Sequence, residues 1–151
     1  VLQDGDMMYL TPEWGNQIEQ VIIEHGNKFD LFGCVTNRLG RKIQLLEDVD
    51  FNNHDIKYHT DIAFTQKEKY FSEVEDITSK KYIAGLLMVL HKSTWSKHKF
   101  KENTPYFDDE FSKSITRSGG RLGLMKGIYV YHQYRIWCEN PKLNNSHLTK
   151  K

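Results

Sequence analysis

The stretch Val1-Leu2-Gln3-Asp4-Gly5-Asp6-Met7-Met8-Tyr9-Leu10-Thr11-Pro12-Glu13-Trp14 decides how the rest of the chain reads. Apolar, strand-tolerant residues flank Asp4-Gly5-Asp6, which predicts a strand, a tight turn and a second short strand, with an acidic pair at a strand end. Thr11 suits a helix cap and Pro12 a first helical position, and Trp14, Ile18, Val21, Ile22 and His25 follow at helical spacing until Gly26-Asn27. Phe29 to Thr36 is an apolar run of strand formers, and Asn37-Arg38-Leu39-Gly40-Arg41 after it reads as a loop with two cations. Strands alternating with helices predict an α/β sheet whose ligands gather at the carboxyl ends of its strands.

Further along, Glu47 to Ser79 is polar and predicts one or two helices, because Ile62, Phe64, Tyr70, Phe71 and Val74 are irregularly spaced. Tyr82 to Leu90 is the most apolar stretch and predicts a central strand buried on both faces, with Ser93-Thr94 capping a brief helix that contains Trp95. Phe107, Phe111 and Ile115 recur every four residues up to Ser118-Gly119-Gly120, so Asp108, Asp109 and Glu110 occupy a first helical turn, where the helix dipole favours carboxylates. Leu122 to Met125 and Ile128 to Tyr134 read as two closing strands. Residues 1–137 therefore form one domain, and the Asn-, Lys- and Ser-rich tail 138–151 is expected to be poorly ordered.

The 151 residues carry 38% hydrophobic, 27% charged and 13% aromatic residues, enough for a packed core and without a disorder signature. With 21 basic against 20 acidic residues the formal charge is +1, which argues against a nucleic-acid partner driven by a basic surface; Lys92, Lys97, Lys99 and Lys101 around Trp95 and Phe100 fit a solvated helix and loop instead. The longest apolar run, Ile83 to Leu90, is far short of the roughly 20 residues a membrane helix requires. Cys34 and Cys138 lack the spacing of a metal knuckle or disulfide scaffold, so both are read as reduced and the setting as cytoplasmic. Val1 already lies within a strand pattern, so upstream residues, or a second subunit of a homo-oligomer, are expected beside the opening strand.

Three places could carry chemistry. Asp4 and Asp6, separated by one glycine, can both reach a hard divalent cation, and Gly5 allows a phosphate close to the backbone, although an ordinary acidic turn is the commoner use of such residues. Asp108 and Asp109 lie between Phe107 and Phe111, which would pack the helix down and hold a carboxylate at a cleft rim; a solvated helix start is the plainer account. His132, at the end of Gly127-Ile128-Tyr129-Val130-Tyr131-His132, could complete a metal shell or simply form a hydrogen-bonded rim.

The order of Asp4-Gly5-Asp6-Met7-Met8-Tyr9-Leu10, Ile83-Ala84-Gly85-Leu86-Leu87-Met88 leading through Ser93-Thr94-Trp95 to Tyr106-Phe107-Asp108-Asp109-Glu110-Phe111, then Gly119 and Gly127 to His132, resembles the second half of the family-2 glycosyltransferases of the GT-A fold. The resemblance covers nearly the whole chain and implies a mixed, mostly parallel GT-A-like sheet flanked by helices, lacking the N-terminal half that grips the nucleotide base. It implies inverting transfer of a sugar from a nucleotide-sugar donor to a carbohydrate or other hydroxyl acceptor, as in polysaccharide biosynthesis. Asp4 and Asp6, with His132, would hold Mn²⁺ or Mg²⁺ and the donor diphosphate, assisted by Arg38 or Arg41. Gly85 and Trp95 would lie on the substrate side, and Asp108 matches the family's catalytic base, with adjacent Asp109 as the alternative. Ser114 stands where many members carry an arginine, and the spacing in Gln133-Tyr134-Arg135-Ile136-Trp137 excludes the motif of processive synthases.

Two other readings compete. A haloacid-dehalogenase-like, Mg²⁺-dependent phosphatase also uses Asp-x-Asp after a first strand, but Met8 and the helical setting of Asp108-Asp109 depart from it. The other is a non-catalytic fragment that binds carbohydrate or a partner chain through Trp95, Tyr106 and Tyr134.

Overall fold

In a computed structural model, which describes residues 1–137, the chain forms a six-stranded mixed sheet flanked by helices. The elements in order are β1 (Leu2–Gln3), β2 (Met7–Tyr9), α1 (Trp14–His25), β3 (Leu31–Thr36), α2 (Ile56–Tyr70), β4 (Val74–Asp76), β5 (Leu87–Leu90), α3 (Lys92–Lys97), α4 (Phe107–Arg117) and β6 (Leu122–His132). The strand order is β1-β5-β3-β6-β2, with β4 also on β6. Cys138 and the tail 138–151 lie outside the described residues. Among the described residues no helix is long and apolar enough to cross a membrane.

The expectation of a mostly parallel sheet is corrected. Among the described strands only β3 and β6 pair in parallel; β1 with β5, β5 with β3, β2 with β6 and β4 with β6 are all antiparallel. The helical connections are too few to return every strand in the same direction, so neighbours reached by other routes run oppositely. The two expected closing strands are one 11-residue strand. Its register against β3 jumps from Cys34↔Met125 to Val35↔Tyr129, so Lys126, Gly127 and Ile128 bulge out of the ladder between the two halves. Gly127 is required there: a Cβ would run into the Phe71 carbonyl, and Gln17 of α1 donates from Nε2 to the carbonyls of both Phe71 (2.8 Å) and Gly127 (2.9 Å).

All six residues of β3 are buried, as a strand covered on both faces requires. The two-residue period divides the core. Phe32 and Cys34 join Ile18 and Val21 of α1 with Leu87 and Val89, whereas Leu31 and Val35 join Ala63 of α2, Phe111 and Ile115 of α4, and Met88. Helix α1 ends where expected, but it begins at Trp14, two residues beyond Pro12, and its cap is Glu13 at φ 58° with no side-chain cap bond, instead of Thr11. The polar region 47–79 supplies one helix, capped by the Asp55 carboxylate, and the unanticipated strand β4. The brief helix around Trp95 is capped by His91, not by Ser93-Thr94.

Within Tyr82 to Leu90 only the last four residues are strand, and β5 lies between β1 and β3. Residues 83 and 84 are buried beside the sheet with their amides satisfied by side chains: Ile83 N donates to Ser112 Oγ (3.1 Å) and Ala84 N to Gln44 Oε1 (2.6 Å), while Gln44 Nε2 donates to Cys34 O (2.9 Å). Gln44 thus replaces a missing piece of ladder. Gln44→Leu leaves the Ala84 amide and the Cys34 carbonyl buried without those partners, and since each such group costs about 1–3 kcal/mol, denaturant unfolding is expected to show a loss of roughly 2–4 kcal/mol.

Candidate active site

The opening strand and turn are held at both ends. Asp4 N donates to Leu86 O beside β5 (3.0 Å), and Gln133 N, just past β6, donates to Asp6 O (2.9 Å). The turn between them therefore spans from one edge of the sheet to the end of β6, and it carries both carboxylates to His132. One ligand atom from each of Asp4, Asp6 and His132 lies within 4.8 Å of the others, a grouping that no other His, Cys, Asp or Glu residues reach among the described residues. Both aspartates are exposed and His132 is buried. A Cβ at Gly5 would meet nothing within 4 Å, and Gly5 has no left-handed φ, so neither packing nor conformation explains the glycine. The space above the turn is open.

His132 is oriented by the end of β3 and the loop after it. Its backbone N–H donates to Asn37 Oδ1 (2.8 Å), and its ring Nδ1 is 2.9 Å from Arg38 O. A carbonyl only accepts, so Nδ1 carries the proton, and in the neutral imidazole Nε2 presents its lone pair. That Nε2 is 3.2 Å from Asp6 Oδ1, close enough for an ion pair if protonated, and among the described residues this buried atom has no hydrogen-bond partner. A buried imidazole nitrogen grouped with two carboxylates is a donor set that could hold a cation, with a backbone carbonyl fixing the tautomer from behind.

The second acidic patch lies near the first. Burial raises the pKa of Asp4 most, the charges of Asp6 and Asp108 raise it further, and His132 opposes them when it is protonated. Asp108 is held by three donors: Tyr82 O–H (3.0 Å) and Gly85 N–H (3.2 Å) on Oδ2, and Asp109 N–H (2.8 Å) on Oδ1. Gly85 permits this seat, since a Cβ there would come within 3.0 Å of the Phe107 ring. Asp109 differs. It is paired with Arg41 (3.3 Å) and Lys113 (2.7 Å), which hold its carboxyl below the usual range against an upward push from burial. Of the two carboxylates, Asp108 is the one with no cation bound to it.

Other anticipated residues have different places. Arg38 is buried, and its guanidinium donates to the carbonyls of Phe51, Tyr134 and Arg135 and to Asn52 Oδ1, so it ties two loops together instead of facing a phosphate. Arg41 is the accessible cation, stacked 4.1 Å above the Tyr82 ring. Trp95 is half-buried among Phe100 and Phe111 and belongs to the core, while Tyr106 is exposed and Tyr134 stacks on His132 at 5.5 Å. A cavity of about 550 Å³ lies elsewhere, between α2 and the loop around Leu45–Val49, and has neither His132 nor Asp108 in its wall. Tyr82, Asn37 and Gln44 carry no motif, and their parts emerge only from contacts across the fold.

No protein-family model matches the chain, no curated protein matches it significantly, and no solved structure does so.

The crowding at Asp4 has a sign. A carboxyl whose pKa is raised on folding favours the folded state below its unfolded value of 3.8 and loses that contribution as pH rises through the raised value. At neutral pH the ionised Asp4 therefore weakens the metal-free fold, and solvent screens part of the effect because the side chain is exposed. Asp4→Asn is expected to raise the Tm in EDTA at neutral pH by roughly 2 °C, with the gain shrinking as the buffer is brought down towards about pH 4.

Proposed function

We propose that this chain catalyses metal-dependent, inverting transfer of a sugar from a nucleotide-sugar donor to an acceptor hydroxyl. The observation that carries this reading is the buried Nε2 of His132, without a hydrogen-bond partner among the described residues and grouped with Asp4 and Asp6, with Asp108 near enough to act on Asp4 electrostatically. Two carboxylates and one imidazole fit a divalent cation that tolerates nitrogen, which favours Mn²⁺ over the more oxygen-demanding Mg²⁺. When bound, the cation supplies electrostatic neutralisation of the charge that develops on the departing diphosphate.

The chain's own residues supply the rest. Gly5 leaves room above the turn for a diphosphate to approach the backbone, and the Arg38 carbonyl keeps Nδ1 of His132 protonated so that Nε2 stays directed at the donor side. Asp108 takes the proton from the acceptor hydroxyl as that oxygen bonds to the anomeric carbon and the bond from this carbon to the phosphate oxygen breaks, releasing the nucleoside diphosphate. Asp109, neutralised by Arg41 and Lys113, holds α4 in place and is a poor proton acceptor. A single base on the acceptor side suits a one-step displacement, which inverts the configuration.

Mn²⁺ with a nucleoside diphosphate is expected to raise the Tm by several degrees, corresponding to about 2.7 kcal/mol at a hundredfold excess over Kd, and Asp6→Asn and His132→Ala should each remove the shift. Gly5→Ala should leave the metal-free Tm unchanged while weakening the nucleotide-dependent shift. Asp108→Asn should lower turnover roughly 10²–10⁴-fold without altering the melting shift. No shift with any metal and nucleotide would favour a binding module, and metal-dependent release of phosphate from a simple ester, lost in Asp4→Asn, would favour the phosphatase.

A further inference from the structure

We infer that Tyr82 is a positioning residue that selects which oxygen of Asp108 receives the acceptor proton. This rests on the proposed role of Asp108 and adds to it a residue that belongs to neither acidic patch. A carboxylate offers about four acceptor positions, two on each oxygen. On Asp108 the Tyr82 hydroxyl and the Gly85 amide occupy Oδ2, and the Asp109 amide occupies one position on Oδ1. One position remains, on Oδ1. Without the Tyr82 hydroxyl, Oδ2 would also have an open position and the proton could be taken from either oxygen, or from a carboxylate turned away from the acceptor.

The tyrosine is built for this task in three respects. It is buried, 8% exposed, on a segment with no ladder of its own that is anchored by Gln44 and Ser112, so its backbone is fixed from two directions. Its ring lies beneath the Arg41 guanidinium at 4.1 Å, and Arg41 is itself paired with Asp109, the neighbour of the residue being positioned. Burial and the Asp108 charge push its phenol far above the ordinary range, so the hydroxyl remains a donor at every working pH. A phenylalanine would fill the same space and keep the stacking while removing only the donor.

The test is a double-mutant cycle on turnover with Mn²⁺, a nucleotide-sugar donor and a hydroxyl acceptor, comparing Tyr82→Phe, Asp108→Asn and the double variant. Tyr82→Phe is expected to lower kcat roughly 10- to 100-fold with KM for donor and acceptor unchanged, because hydrogen bonds to charged groups are the stronger ones. In the Asp108→Asn background it should have no further effect. The Mn²⁺- and nucleotide-dependent melting shift, which uses Asp4, Asp6 and His132, reports that Tyr82→Phe is folded, and rates are normalised to the folded fraction. If Asp108→Asn alone turns over normally, the reading of Asp108 as base fails and Tyr82 falls with it. If Asp108→Asn collapses turnover but Tyr82→Phe keeps the parent kcat, raises KM instead, or costs the same factor in both backgrounds, the positioning role is overturned while the base stands.

Discussion

The parallel pairing of β3 with β6 is the constraint on which the rest of the structure depends. β6 runs 11 residues and is the partner of three strands, with β4 on its first half, β2 on its second and β3 along both. A strand gripped in this way cannot slip by one residue without exchanging the contents of the two cores, because its side chains alternate between α1 on one face and α2 and α4 on the other. The bulge at Lys126, Gly127 and Ile128 absorbs the mismatch between the halves, and the contact of Gln17 with the Gly127 carbonyl ties it to α1. His132 is the last residue of this strand, so its position is set by the whole ladder.

From that fixed point the candidate site is assembled by backbone atoms more than by side chains. The Arg38 carbonyl sets the His132 tautomer, the Leu86 carbonyl and the Gln133 amide hold the two ends of the acidic turn, and the Gly85 amide seats Asp108. Backbone groups of a packed sheet move little, so the side chains they hold are fixed in place. The cost is electrostatic. Asp4, Asp6 and Asp108 crowd one another, and Nε2 of His132 lies 3.2 Å from Asp6 Oδ1 without a hydrogen-bond partner among the described residues. Concentrating like charge in this way costs the folded chain stability.

The two carboxylates at the start of α4 show how environment separates residues that look alike in sequence. Asp108 and Asp109 are adjacent, yet one turns towards Tyr82 and Gly85 and the other towards Arg41 and Lys113. Consecutive positions on a helix are about 100° apart, so neighbours face different surroundings. One has no cation bound to it among the described residues, and the other becomes part of an ion-pair network that clamps the helix.

Local physical rules written in the sequence determined the acidic turn between two short strands, the end of α1 and the extent of α4, the placing of Asp4, Asp6, Asp108 and Asp109 at element ends, and the apolar run of β3, because turn chemistry, helical spacing and strand propensity act over a few residues. Tertiary structure alone decided that the sheet is mixed, that Tyr82 to Leu86 is held by Gln44 and Ser112 instead of a ladder, that Arg38 is a buried tie and Arg41 the accessible cation, and that Trp95 belongs to the core. Those outcomes depend on partners tens of residues away. A side chain's type specifies which bonds it can make, whereas which bonds it does make is settled by the long-range pairing that decides which polar groups are taken out of water together.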